Sequence, residues 1–228
     1  MSQAQAKAFL IVFSEPGDLV SLDEFQDWYN NEHVPLRLNN LPFFLSGARF
    51  QSTSPTPTSA NWAALYEITD TSIFQKPEYT GLREKRSPRE ADLVKRLGVL
   101  DRRTFEVVRV EGQVGQGEGL VVGESGTKGI VTHGIKDTST DLNSIKGQKG
   151  WKRSWVLRLL DHGTTAKGAK VERSDVPDVF VVHEFGSAGD ASAAASSLEK
   201  DNQYSEVRSW ELYRAYPCVA QGNLPSNA

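Results

Sequence analysis

WAALYEI, Trp62 to Ile68, is a run of aromatic, β-branched and small apolar residues, and a run of the same build, VFVVHEF, returns at Val179 to Phe185. Both read as strands. Their last four positions, Leu65-Tyr-Glu-Ile68 and Val182-His-Glu-Phe185, correspond one to one. Three more pairs keep the same order along the chain: Phe44–Phe50 with Trp151–Leu157, Glu78–Arg83 with Gln203–Arg208, and Phe105-Glu106 with Trp210-Glu211. Each match is weak alone; their common order argues for an internal duplication.

Hydrophobic periodicity supplies the remaining elements. In the first half it predicts strands Ala8–Ser14, Phe44–Gln51, Trp62–Ile68 and Thr104–Val110, with helices over Leu22–Val34 and over Ile73–Leu97, the latter broken at Pro77 and Pro88. In the second half it predicts strands Ile130–Ile135, Trp151–Leu160, Val179–Phe185 and Trp210–Tyr216, with a helix over Ala191–Val207. The fold class is therefore α+β, two ferredoxin-like βαββαβ repeats. Their apolar sheet faces need cover, which sheet-to-sheet packing provides, as a pseudo-dimer around a barrel-like interior. The expected division is a first repeat over 1–110, a Gly-rich linker over 111–127 with a candidate strand at Leu120–Val122, a second, degenerate repeat over 128–217, and a flexible tail over 218–228. Strand alternation puts Trp62, Ala64 and Tyr66 on one face, and Val179, Val181 and His183 on another. If Tyr66 and His183 are equivalent, both face the enclosed space.

The repeat fails at its first helix. SLDEFQDWYNNEHVPLRLNN, Ser21 to Asn40, opens with a Ser21/Glu24 capping-box pattern, carries an apolar stripe of Leu22, Phe25, Trp28 and Tyr29, and reaches Glu32-His33 just before Val34-Pro35. Pro35 predicts an end or kink there. The second-half counterpart, Asp137–Gly150, is polar and has no histidine. That asymmetry points to chemistry in the first half.

The 228 residues carry a formal charge of −3 and 24% charged residues. No basic face suits nucleic acid, and the local cluster Arg83–Arg89 reads as a solvated face or loop. No apolar run is long enough to span a bilayer, and the N-terminus lacks secretory-signal features. The single cysteine, Cys218, excludes an internal disulfide or a multi-thiolate metal site. A cytoplasmic location is expected. No Walker loop, convincing dinucleotide turn, zinc signature or nucleophile elbow is present, so neither cofactor nor metal is expected.

The pattern F-x-x-W-Y-x-x-E-H-x-P, carried by Phe25, Trp28, Tyr29, Glu32, His33 and Pro35, resembles that of EthD-like proteins of the dimeric α/β-barrel superfamily. The resemblance covers most of residues 7–110 and, more weakly, 128–217. It implies a cofactor-independent site inside the barrel, in a broad group that includes lactone isomerases, polyketide cyclases, decarboxylases, monooxygenases and haem proteins. It also implies an acid/base role for His33.

Histidine suits that role because its pKa of ~6.5 lets it take and return a proton near neutrality. The helix end and Glu32 are expected to favour its charged form. Tyr66 and His183 are the further catalytic candidates, against ordinary core packing. Trp28, Tyr29 and Trp62 are expected as an apolar substrate wall and Arg49 as a partner for a substrate carboxylate or enolate, against a surface salt bridge. His133 and His162 are weaker candidates, the latter placed in a polar loop. The expected function is acid/base chemistry on a hydrophobic polyketide-like or aromatic small molecule: cyclase, dehydratase, isomerase or decarboxylase, in secondary metabolism. The alternative is a non-catalytic barrel that binds a small molecule or haem. Expected partners are a small hydrophobic substrate, no nucleic acid and no membrane, with the chain a monomer or homodimer.

Overall fold

A computed structural model describes residues 6–57, 59–112 and 126–225. The first half runs β1 (Ala8–Glu15), α1 (Leu22–Trp28), a π-helical turn (Tyr29–His33), α2 (Val34–Leu38), β2 (Phe44–Ser52), β3 (Trp62–Ile68), a 3-10 turn (Thr71–Gln75), α3 (Pro77–Glu84), α4 (Pro88–Arg96) and β4 (Val99–Gly112). The second half runs β5 (Gly129–Ile135), α5 (Asn143–Lys146), β6 (Trp151–Ala166), β7 (Ala169–Val171), β8 (Val179–Phe185), α6 (Ala188–Leu198) and β9 (Ser205–Tyr216).

Eight antiparallel strands close into a barrel in the order β4-β1-β3-β2-β9-β5-β8-β6, with β6 pairing back to β4; β7 only extends β6 as a hairpin. Each half contributes its four main strands in the order fourth, first, third, second. The halves meet edge to edge through the β2–β9 and β4–β6 ladders. Two open sheets packed face to face, the expected arrangement, would leave four edges unpaired. Closure within one chain pairs them all.

The barrel interior is a packed core. Phe13 stacks on Trp210 at 5.4 Å, Phe105 on Phe180 at 5.8 Å, and Phe9 tilts against Trp155 at 5.4 Å. The expected sharing of faces is observed, but the faces are the opposite ones. Ala63 and Leu65 point inward, whereas Trp62, Ala64 and Tyr66 pack outward with Phe25, Trp28 and Leu93 of the first-half helices. Val179 and Val181 likewise pack outward against alanines of α6. Tyr66 and His183 therefore do not share an enclosed space. Aromatic side chains fill the interior, so the groups expected to line it lie under two separate helical layers.

Helix boundaries show what proline does here. Pro77 and Pro88 begin α3 and α4, where a missing N–H costs nothing. Pro35 does not end the first helix. One turn earlier the helix widens, so that the Val34 N–H reaches the Tyr29 carbonyl, and α2 then continues to Leu38. His33 is thus inside a bulged helix and not at a frayed end. Ser21 accepts from the Glu24 N–H as expected, but Leu22 is exposed and the buried stripe is Phe25, Trp28 and Tyr29.

The helix expected over Ala191–Val207 stops at Leu198, and β9 begins at Ser205. Gln203–Arg208 consequently enters a strand, whereas Glu78–Arg83 lies in α3, so these two stretches are not equivalent. The other three matches fall on β2/β6, β3/β8 and β4/β9. His162 sits in β6 opposite Arg103, not in a loop. Most of the Gly-rich linker, including Leu120–Val122, lies outside the described residues. In the stretch expected as a flexible tail, Cys218 is buried with its thiol 3.3 Å from the Leu45 carbonyl, and Val219–Gln221 form a 3-10 turn. Among the described residues no helix is long and apolar enough to cross a membrane, and no cluster of His, Cys, Asp and Glu could hold a metal ion.

Candidate functional site

Between the outer face of the first-half strands and the first-half helices lies a cavity of about 830 Å³, within the range of small-molecule sites. Leu10 and Val12 of β1, Trp28, His33, Arg37 and Tyr66 contribute to its wall. Gly47, paired with Tyr66 across β2 and β3, makes room for the phenol: a methyl group there would come within 3.0 Å of the ring.

The π-helical turn positions His33. Its ring packs at 4.5 Å on Trp28 and edge-on at 5.2 Å to Tyr29, and its Nδ1 lies 2.9 Å from Oε1 of Glu90. Glu90 was not singled out in the sequence, although a signal was there. Ser87-Pro88-Arg89-Glu90 has the form of a capping box, and Ser87 does cap α4 by accepting from the Glu90 N–H at 2.9 Å. The Glu90 side chain, which in a complete box would turn back to its own helix, turns to His33. Glu32, the expected partner, is engaged elsewhere, accepting from the Ser87 hydroxyl and pairing with Arg89.

The electrostatics reverse the expected charge of His33. Burial first, then the nearby Arg37, lower its pKa to about 4, against the pull of Glu90. Burial alone would raise the Glu90 carboxyl, but its bond to His33 and the guanidiniums of Arg37 and Arg86 outweigh this and hold it below the usual range. The pair at neutral pH is a carboxylate and a neutral imidazole. Nδ1–H donates to Glu90, which leaves Nε2 as the basic nitrogen.

Among the described residues, three buried polar atoms of the cavity wall have no hydrogen-bond partner: the Arg86 Nε and two neutral donors. The Trp28 indole N–H and the Tyr66 hydroxyl are buried and unbonded. Burial pushes the Tyr66 pKa far up, so the phenol keeps its proton and can donate. Orphaned buried donors are unusual, and ones that line a cavity call for a ligand acceptor.

The other expected site residues lie elsewhere. Tyr29 is a buried support for His33 and shares a 3.3 Å hydrogen bond with Ser14. Trp62 packs against Tyr213 at 5.2 Å. Arg49 makes no salt bridge among the described residues; it is buried 4.0 Å from the Tyr29 ring and donates to Gln26 at 2.5 Å. None of the three contributes to the cavity wall.

His183 belongs to a second buried cluster, in the other half. Its Nε2 lies 2.8 Å from Nε2 of His133, and its Nδ1 lies 2.6 Å from the Ser154 hydroxyl. His133 Nδ1 reaches the Gly134 carbonyl at 3.3 Å, and the Trp151 indole donates to Ser154 at 2.9 Å. A carbonyl only accepts, which fixes the chain. His133 carries its proton on Nδ1, His183 carries its own on Nε2 and donates it to His133, and Ser154 donates to His183. Every group is satisfied with both rings neutral.

No family model and no curated protein matches the chain. Among solved structures, an anthrone oxidase-like protein aligns over 98% of this chain and 97% of its own, at a TM-score of 0.54 and 8% identity. A provisionally assigned chlorite dismutase aligns over 91% and 95%, at a TM-score of 0.50 and 11% identity. At such identities the likeness concerns the fold, which is of the dimeric α/β-barrel kind with both barrel halves in one chain.

Proposed function

We propose that the chain is a cofactor-independent acid/base enzyme for a hydrophobic aromatic or polyketide-like small molecule, an EthD-like barrel made by tandem duplication of a ferredoxin-like unit. One observation carries the reading: a neutral histidine, oriented by a buried carboxylate, shares a cavity with two unpartnered donors. His33 Nε2 takes a proton from carbon that a carbonyl acidifies, directly or through a conjugated ring. The C–H electron pair moves into the enolate, and the developing oxyanion receives hydrogen bonds from Trp28 and Tyr66. Return of the proton gives exchange or isomerisation, and the same enolate opens cyclisation, dehydration and decarboxylation. His183 has no part in this, because its hydrogen bonds are used within its own cluster.

Anthrone is a suitable probe, since its C10 protons are acidified by the ring carbonyl and a structure of this fold is described as anthrone oxidase-like. Proton–deuterium exchange at C10 under argon in D₂O needs no oxidant. The protein should accelerate it, and His33→Ala should lose roughly 10²–10⁴-fold of the acceleration. An unaltered rate with lowered stability would make His33 a packing residue.

The haem alternative rests on the same nitrogen. A neutral imidazole whose other N–H is held by a carboxylate suits an iron ligand, and iron would bring redox chemistry that no side chain here supplies. A Soret band from hemin-mixed protein that vanishes in His33→Ala would favour it over proton transfer.

A further inference from the structure

The cavity's charge is unbalanced. Arg37, Arg83 and Arg86 all contribute to its wall, and two of them share a single carboxylate oxygen with His33. Arg37 Nη2 is 3.9 Å and Arg86 Nε 3.7 Å from the same Glu90 Oε1 that His33 occupies at 2.9 Å. Arg37 spends its Nη1 on the His33 carbonyl at 2.6 Å. Arg83 has no carboxylate within 4.0 Å among the described residues, and the Arg86 Nε is buried with no hydrogen-bond partner. Arg102 and Asp161, also on the wall, neutralise each other at 2.5 Å. With His33 neutral, Arg37, Arg83 and Arg86 are set against exposed Glu84 on the wall and the Glu90 carboxylate beside it, which leaves an excess of one positive charge. Leu10, Val12 and Phe74 make other parts of it apolar.

We infer that the ligand of this cavity is an amphiphilic carboxylic acid, an aromatic or aliphatic body bearing one carboxylate, and that Arg86 receives the carboxylate with Arg37 and Arg83 beside it. The inference deepens the proton-transfer reading and rests on it for the role of the cavity. An unsatisfied guanidinium N–H needs an acceptor, and a carboxylate supplies two oxygens in the geometry of the guanidinium fork. The bound anion has a second effect. Burial and the neighbouring Arg83 and Arg37 already disfavour the charge on Arg86, and Arg37 and Arg86 both oppose protonation of His33. A carboxylate among them cancels that field, so His33 becomes a stronger base when the ligand is in place.

Calorimetric titration with anthracene-9-carboxylate and with its primary amide at pH 7.5 tests this. The carboxylate should bind roughly tenfold or more tightly than the amide, the worth of one charged hydrogen bond. Arg86→Gln should lower the carboxylate's affinity by that factor and erase the difference, and Arg86→Lys should restore part of it. Thermal melting of both variants checks folding. Equal affinities, no binding of either compound, or a preference that survives Arg86→Gln overturns the inference. Anthrone exchange is scored separately: carboxylate preference without exchange would sustain this inference and remove the proton-transfer reading, and exchange without preference would do the reverse.

Discussion

The two helix-covered faces of the barrel each bury histidine, and they treat it in opposite ways. Under the first-half helices, His33 is held by Glu90, and two donors beside it are left without partners around a cavity of about 830 Å³. Under α6, His133, His183, Ser154 and Trp151 form a chain in which each donor meets an acceptor. The helix layers match this difference. Ala191, Ala194 and Ala195 let α6 lie close on the strands, and a methyl group at Gly129 would come within 2.8 Å of the α6 backbone. The first-half helices instead bury the large side chains Phe25, Trp28 and Tyr29 against the strands. Satisfied polar groups under a close helix make a support; unsatisfied ones beside open space make a site.

The largest test of that contrast is His183→Leu. It would leave His133 Nε2 without a donor and Ser154 without its acceptor, each at about 1–3 kcal/mol. We expect a stability loss on the order of 4 kcal/mol by urea denaturation, with unchanged anthrone exchange. The double variant His133→Leu/His183→Leu should cost less than the sum of its singles, since it removes both ends of the central bond. A large loss of exchange in a stable His183→Leu protein would break the comparison.

Acid provides a second test. His33 and His133 have native pKa values of about 4, and that of His183 lies well below the ordinary value, for which burial is the first cause in each case. In the unfolded chain these groups titrate near ~6.5. As pH falls below that value the unfolded state takes up protons that the native state refuses. Stability is therefore present above ~6.5 and lost toward pH 4, by at most about 3 kcal/mol for a group shifted this far. In the paired cluster geometry adds to burial: a second proton would set two N–H groups against each other at 2.8 Å. Urea midpoints at pH 7 and 4.5 should differ less in His133→Gln/His183→Gln than in the parent protein. An identical drop in both would show that the pair titrates normally.

How far the sequence foretold this follows from the range of each signal. Strand parity is local, so the face shared by Trp62, Ala64 and Tyr66 was legible; which face looks inward depends on how the β2–β9 and β4–β6 edges close, and alternation carries no information about that. The E-H-x-P pattern singles out His33, which lies on the cavity wall, yet Pro35 suggests a helix end because a bulge that rescues the helix leaves no mark in apolar spacing. Glu90 was hidden in a basic run, where charge composition masked the capping pattern that places it. His133 and His183 were visible only as separate candidates, since their contact is made by the β5–β8 register.

The smallest effect, and the one that separates a site from a support most directly, is expected for Tyr66→Phe. In the satisfied cluster, removing a polar atom should always destabilise. Tyr66 is different: its hydroxyl is buried without a partner, and the ring alone does the packing against Phe44 at 5.6 Å. Deleting an unsatisfied buried hydroxyl returns its desolvation cost, so Tyr66→Phe should leave stability unchanged or raise it by about 1 kcal/mol. The same change removes one of two donors to the developing oxyanion. A neutral hydrogen bond is worth about 1 kcal/mol, and more in a dry site, so exchange should slow by roughly tenfold. Stability gained while rate is lost is the signature of a group held in readiness for a ligand. If Tyr66→Phe lost both together, the hydroxyl would have a structural partner, and the first-half cavity would be closer in kind to the histidine pair under α6.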